Sequence, residues 1–133
     1  MINSSNIISQ SSKRILLVDD EPDITFSFNM ILEDNGFAVD SYNDPLIALS
    51  SFKSGIYAIA ILDIKMPGMN GFELSVELRK ADNKIKILFM TAYDIHEEEY
   101  NQSKLKLLAE KPNILKKPIS LYDLVSKINK ELS

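Results

Sequence analysis

Five side chains in this 133-residue sequence have the types to do polar chemistry together: Asp19 and Asp20 side by side, then Asp63, Thr91 and Lys117. If the three carboxylates converge, repulsion is the first physical fact about them. Two like charges about 4 Å apart cost ~1 kcal/mol in water and ~4 kcal/mol at an effective dielectric of 20. An unrelieved cluster therefore raises at least one pKa and lowers stability. A divalent cation removes the repulsion. The chain has no cysteine and a single histidine, His96, which excludes thiolate sites, a cysteine nucleophile and most zinc centres. Oxygen-only ligands disfavour the softer metals. Few carboxylates with room for water favour Mg²⁺ over Ca²⁺, because Mg²⁺ keeps several waters and often completes its shell with a phosphoryl oxygen. Mn²⁺ would serve the same ligands.

Taken singly, each residue has a plainer reading. Asp19-Asp20-Glu21-Pro22 is also the charge pattern of an ordinary helix N-terminus. A lone acid after a strand is usually a solvated turn residue. Thr91 suits a strand end and Lys117 a surface. His96, beside Glu97, reads as an exposed helix residue and is assigned no role. What lifts the set is joint placement, and that depends on the elements that carry it.

Apolar, β-branched runs recur at Ile15–Val18, Phe37–Val39, Tyr57–Leu62, Ile85–Met90 and Ile114–Leu115. With last residues taken as Val18, Asp40, Leu62, Met90 and Lys116, the steps are 22, 22, 28 and 26 residues. Each step holds one crossover helix, as parallel strands require. The first and third runs are continuously apolar, which suits a sheet covered on both faces. Between them, Ile24, Phe28, Ile31 and Leu32 recur at helical spacing after Pro22, with Gly36 as the stop. Asp44-Pro45 opens a second helix through Leu46, Ala48, Leu49 and Phe52, with Gly55 closing it. Phe72, Val76 and Leu78 mark a third, and Glu97-Glu98-Glu99 the start of a fourth. Ser120 and Asp123 resemble a capping box ahead of Leu124, Val125 and Ile128. The pattern predicts an open, doubly wound α/β sheet. Ligands bind outside the carboxyl ends of such strands, where Asp19-Asp20-Glu21, Asp63, Thr91 and Lys117-Pro118 all fall. The second strand is followed by Ser41-Tyr42, with no comparable group, and is expected to lie away from the site.

Composition sets the outer bounds. With 45% hydrophobic and 26% charged residues the chain is of globular type. The longest apolar run, Ile56 to Leu62, is far short of the ~20 residues that span a bilayer. A net charge of −4 argues against non-specific nucleic-acid binding. Residues 1–12 are a polar arm without the charged and apolar regions of a signal peptide. Residues 13–133 form one expected domain, cytoplasmic and acting on a separate molecule.

At this point four stretches together resemble the receiver domain of two-component response regulators, the CheY-like family. They are Ile15-Leu16-Leu17-Val18-Asp19-Asp20-Glu21-Pro22; Ile61-Leu62-Asp63-Ile64-Lys65-Met66-Pro67-Gly68-Met69-Asn70-Gly71; Met90-Thr91-Ala92; and Lys116-Lys117-Pro118. The resemblance implies a flavodoxin-like (βα)5 sheet of strand order 2-1-3-4-5. It implies that Asp63 accepts a phosphoryl group from the phosphohistidine of a sensor histidine kinase or a histidine phosphotransfer protein. Asp20 would be a direct Mg²⁺ ligand, Asp19 a ligand largely through water, and the Lys65 carbonyl the backbone ligand. Thr91 would be the switch hydroxyl and Lys117 the partner of a phosphoryl oxygen, with a cis bond between Lys117 and Pro118. The chain departs from the family in two places. Ile114 stands three before Lys117 where many receivers carry an aromatic, leaving Tyr93 as another side chain for that role. The Thr91-to-Lys117 step is also longer, with Glu110-Lys111-Pro112 ahead of the last strand, on the face where receivers dimerise or bind targets. The implied function is a stand-alone, Mg²⁺-dependent phosphoacceptor switch rather than an enzyme, acting in trans on an unnamed protein, with a homodimer open. The rivals are a degenerate receiver serving as an interaction module, and a phosphohydrolase with Asp63 as nucleophile. The short loops leave the hydrolase no substrate cap.

Overall fold

A computed structural model describes residues 14–92 and 113–133. In chain order the elements are β1 (Arg14–Val18), α1 (Pro22–Asp34), β2 (Ala38–Tyr42), α2 (Pro45–Ser51), β3 (Ile59–Asp63), α3 (Gly71–Ala81), β4 (Lys86–Thr91), β5 (Ile114–Lys116) and α4 (Leu121–Leu132). The five strands form one parallel sheet of order β2-β1-β3-β4-β5, as the repeating pattern and the resemblance imply.

The continuous apolar runs have a simple cause. Successive side chains leave a strand on opposite faces, and here both faces are buried. Leu16, Val18, Ala60, Leu62 and Phe89 point into one core with Ala48, Phe72, Leu74 and Leu78 from α2 and α3. Ile15, Leu17, Ile59, Ile61, Leu88 and Met90 point into the other with Phe28 and Leu32 from α1 and Leu124 and Ile128 from α4. Helix starts follow from local chemistry. Asp44 caps α2 by accepting the Leu46 N–H at 2.8 Å, and Ser120 caps α4 by accepting the Asp123 N–H at 3.0 Å. At α3, Asn70 and Glu73 form a full capping box.

The boundaries shift in ways that matter. The apolar pattern places β2 at Phe37–Val39, ending at Asp40; the strand runs Ala38–Tyr42, so Ser41 and Tyr42 belong to it. Its polar residues are tolerated because β2 is an edge strand and each has a partner. Asp40 takes Arg14 at 2.9 Å and the Tyr57 hydroxyl at 2.7 Å, and Ser41 accepts from Asn29 at 2.8 Å. Asp63 and Thr91 are the last residues of β3 and β4 rather than the first beyond them. Tyr57 and Ile85 are buried but lie ahead of their strands. Helix α2 ends at Ser51, before the Phe52 that was expected within it. The N-terminal arm, Tyr93, His96, the helix start at Glu97-Glu98-Glu99 and Glu110-Lys111-Pro112 lie outside the described residues.

Candidate functional site

The register of the sheet gathers the acids. Val18 pairs with Leu62 across β1 and β3, so the residues that follow, Asp19 and Asp63, leave the same sheet edge on neighbouring strands. Asp63 pairs with Met90, and Thr91 with Lys116, which brings β4 and β5 to that edge. The main chain ties these ends together: the Ile64 N–H donates to Met90 O at 2.9 Å, and the Lys117 N–H to Thr91 O at 2.7 Å. The bond between Lys117 and Pro118 is cis.

Four carboxyl-bearing residues and a lysine meet there. Asp19 is fully buried and Asp63 5% exposed. The Lys117 ammonium lies 2.7 Å from Asp19 Oδ2, 3.5 Å from Glu21 Oε1 and 3.6 Å from Asp63 Oδ1. Asp19 Oδ1 accepts the Glu21 N–H at 2.9 Å. One carboxylate oxygen from each of Asp19, Asp20 and Glu21 lies within 4.8 Å of the others. Asp20 also adds to the upward push on the Asp63 pKa. Of the expected residues, Asp19, Asp20, Asp63 and Lys117 are thus brought into one cluster. Thr91 is buried at the adjoining strand end. Lys65 lies two residues past Asp63 in the β3–α3 loop, with an exposed side chain.

The electrostatics follow from burial. Asp63 is pushed up to about 7, chiefly because burial penalises its charged form, then because Asp19 sits beside it; Lys117 partly offsets this. Burial also raises Asp19, against the Lys117 bond and the Glu21 N–H. For Lys117, burial pulls the pKa down, but the bond to Asp19 and the charges of Asp19, Asp63 and Glu21 outweigh it, so the ammonium is favoured. A buried site with excess negative charge and only hard oxygen ligands has the donor set for a small divalent cation.

Glu21, which the sequence places at this edge with the acid pair but without a role, is a neighbour of Lys117. Two further contributors are not legible in the sequence. Gly71 begins α3 so close to β3 that a Cβ there would lie 2.3 Å from the Asp63 carbonyl oxygen. The final glycine of Met66-Pro67-Gly68-Met69-Asn70-Gly71 was visible as a motif letter, but its steric reason was not. Asn43, the residue after β2, donates to the Asp19 carbonyl at 2.8 Å. Ending β2 at Asp40 hid it.

Comparison with known proteins now decides the family. The profile of the response regulator receiver domain matches residues 15–129. The chain belongs to the response regulator receiver family. Among curated relatives of this receiver, the regulatory protein VanRB of Enterococcus faecalis is 35% identical over 117 residues, covering 88% of this chain and 51% of that protein. The chain spans about half of VanRB, and a smaller share, 35%, of the transcriptional regulatory protein TctD of Salmonella typhimurium. Among solved structures, a CheY-like receiver from Methanospirillum hungatei JF-1 superposes with a TM-score of 0.78 at 32% identity, covering 90% of this chain and 93% of that one. The response regulator TrrA of Thermotoga maritima, solved in complex with Mg(2+)-BeF, gives 0.73 at 37% identity, covering 90% and 99%. TrrA has also been solved in complex with the histidine kinase ThkA. Among the described residues, no helix is long and apolar enough to cross a membrane.

Proposed function

We propose that this receiver is phosphorylated on Asp63 by a histidine-kinase or phosphotransfer-protein phosphohistidine, in a Mg²⁺-dependent step, and that the event switches a surface read by a separate cytoplasmic protein. The observation that carries the reading is the buried Asp63 carboxyl, 3.6 Å from the Lys117 ammonium at the carboxyl edge of the sheet. A carboxylate is a competent nucleophile for phosphorus. An Asp63 oxygen attacks the phosphorus, the O–P bond forms as the N–P bond breaks, and the electron pair leaves on the donor imidazole. Such transfer needs positioning and charge neutralisation more than covalent help.

The residues that would hold Mg²⁺ are Asp20 and Asp63 directly, Asp19 largely through water, and the Lys65 carbonyl. The bound ion supplies charge neutralisation to the phosphoryl oxygens. Lys117, already within reach of Asp63 Oδ1, pairs with one of those oxygens. Thr91, on the neighbouring strand end, offers its hydroxyl to another. The metal-bound form of TrrA supports the cofactor, and its complex with ThkA supports a kinase as partner.

Labelling with acetyl phosphate tests this. Slow, stoichiometric, Mg²⁺-dependent incorporation is expected, lost in Asp63→Asn. Steady turnover of phosphoesters would show a hydrolase instead, and no incorporation an interaction module. A pull-down with and without beryllofluoride tests the switched surface: partners retained equally in both states would sink that part.

A further inference from the structure

One side chain that the phosphoryl chemistry does not use holds the loop that carries the acid pair. Asn43 Nδ2 donates to the Asp19 carbonyl at 2.8 Å and to Thr25 Oγ1 at 3.0 Å. Thr25 is buried in the first turn of α1, and its hydroxyl donates to Pro22 O at 3.0 Å. One residue earlier, the Asp19 N–H donates to Tyr42 O at 3.1 Å, extending the β1–β2 ladder beyond its last pair, Val18 and Tyr42. Both main-chain polar groups of Asp19 are therefore bonded to consecutive residues of the β2–α2 junction. Asn43 is not spent on capping: Asp44 is the N-cap of α2.

The geometry has a consequence one residue on. The Asp19 carbonyl and the Asp20 N–H belong to one rigid peptide plane. Fixing the direction of that carbonyl fixes the direction in which the chain reaches Asp20. The same amide joins that plane to Thr25, so the acid loop and the start of α1 are set by a single group. We infer that Asn43 is a positioning residue for the candidate Mg²⁺ site, holding through the Asp19 carbonyl the peptide that presents the Asp20 carboxylate to Asp63.

The inference rests on the reading that this acid set binds Mg²⁺, and the test separates the two. Mg²⁺ affinity is measured calorimetrically on the full chain for wild type, Asn43→Ala, Asn43→Leu (the same branched skeleton without a donor) and Ile128→Val, a core change under α4 away from the site. Backbone amide exchange of Glu21, whose N–H is bonded to Asp19, is followed in the metal-free proteins. Loss of an outer residue that orients a ligand weakens metal binding by about 10-fold or more. That loss is expected in both Asn43 variants, with faster Glu21 exchange, and Ile128→Val is expected to match wild type in both. If the Asn43 variants fail to fold, Thr25→Val, which removes one of the two acceptors, is expected to show a smaller loss in the same direction. An Asn43→Leu protein, or in that case a Thr25→Val protein, with wild-type affinity and Glu21 exchange overturns the inference alone. A wild-type protein that does not bind Mg²⁺ overturns the metal reading and this inference together.

Discussion

At the scale of single residues, the site stores electrostatic cost that the metal-free protein carries. Asp63 has a folded pKa of about 7 against an ordinary carboxyl of ~3.9. The folded state thus holds its proton more tightly than the unfolded chain. The stability from this group is fully present below about pH 4 and is lost as pH rises through about 7. Asparagine removes the titration. In EDTA at pH 7.5, Asp63→Asn is expected to be more stable than wild type by roughly 2–4 kcal/mol, the gap closing towards pH 4. Urea melts of the two proteins across pH check this, and parallel pH slopes would refute it. Lys117 makes the converse case. Its ammonium is the 2.7 Å partner of a fully buried Asp19. Breaking a buried pair by removing one partner costs about 3–5 kcal/mol because a charge is left uncompensated. Lys117→Met is expected to lose stability on that order at pH 8 without metal, and to recover much of it with Mg²⁺ or at low pH, where Asp19 takes up a proton. A loss equal at all pH values and metal concentrations would point to packing instead.

At the scale of elements, what could be read from sequence depended on whether a neighbour was needed to read it. Asp44-Pro45 and Ser120 announce helix starts because a cap acts within one turn, and both bonds form. β1 and β3 were legible because burial on both faces leaves an unbroken apolar run. β2 was misjudged because its stability comes from elsewhere: Arg14, Tyr57 and Asn29 satisfy Asp40 and Ser41, and none of those pairings is local. The same error concealed Asn43. Gly71 is the sharpest instance, since its necessity lies in the Asp63 backbone eight positions earlier. The Gly71 N–H donates to Ile64 O at 2.8 Å, so α3 starts pressed against the end of β3. A methyl group 2.3 Å from the Asp63 carbonyl must displace backbone, because no flexible side chain is there to yield. Gly71→Ala is expected to destabilise by about 1–3 kcal/mol, the usual cost of overpacking. It is also expected to slow acetyl phosphate labelling, since the strain falls on the Asp63 main chain. Asn70→Ala, which removes only the capping box, should cost ~1 kcal/mol and leave labelling unchanged. Equal labelling rates in the two variants would detach Gly71 from the site.

At the scale of the whole molecule, the site depends on both layers at once. Asp19 follows β1 and Asp63 ends β3, and the side chains of both strands alternate between the two cores: Leu16 and Leu62 on one side, Leu17 and Ile61 on the other. No residue can hold the acid edge in place from one face alone, because the strand position that aims each acid is fixed by residues of both faces. Phe72, in edge contact with Phe89 at a centroid distance of 4.9 Å and 64° between planes, secures α3 to one face. Leu124 secures α4 to the other and is fully buried. Truncating either to alanine opens a cavity worth about 2–5 kcal/mol. If the two layers were separable units, Phe72→Ala would weaken protection around Leu16 and leave Leu17 unchanged, and Leu124→Ala the reverse. Along β1 successive amides turn to opposite neighbours, odd residues to β2 and even ones to β3, so one segment of central strand carries both bonds and cannot open for one alone. We therefore expect each variant to lower the exchange protection of the Leu16 and Leu17 amides by the same factor, within one cooperative unfolding transition. Native-state hydrogen exchange measures both amides in one experiment, and a face-specific loss of protection would show that the sheet does not couple the two cores.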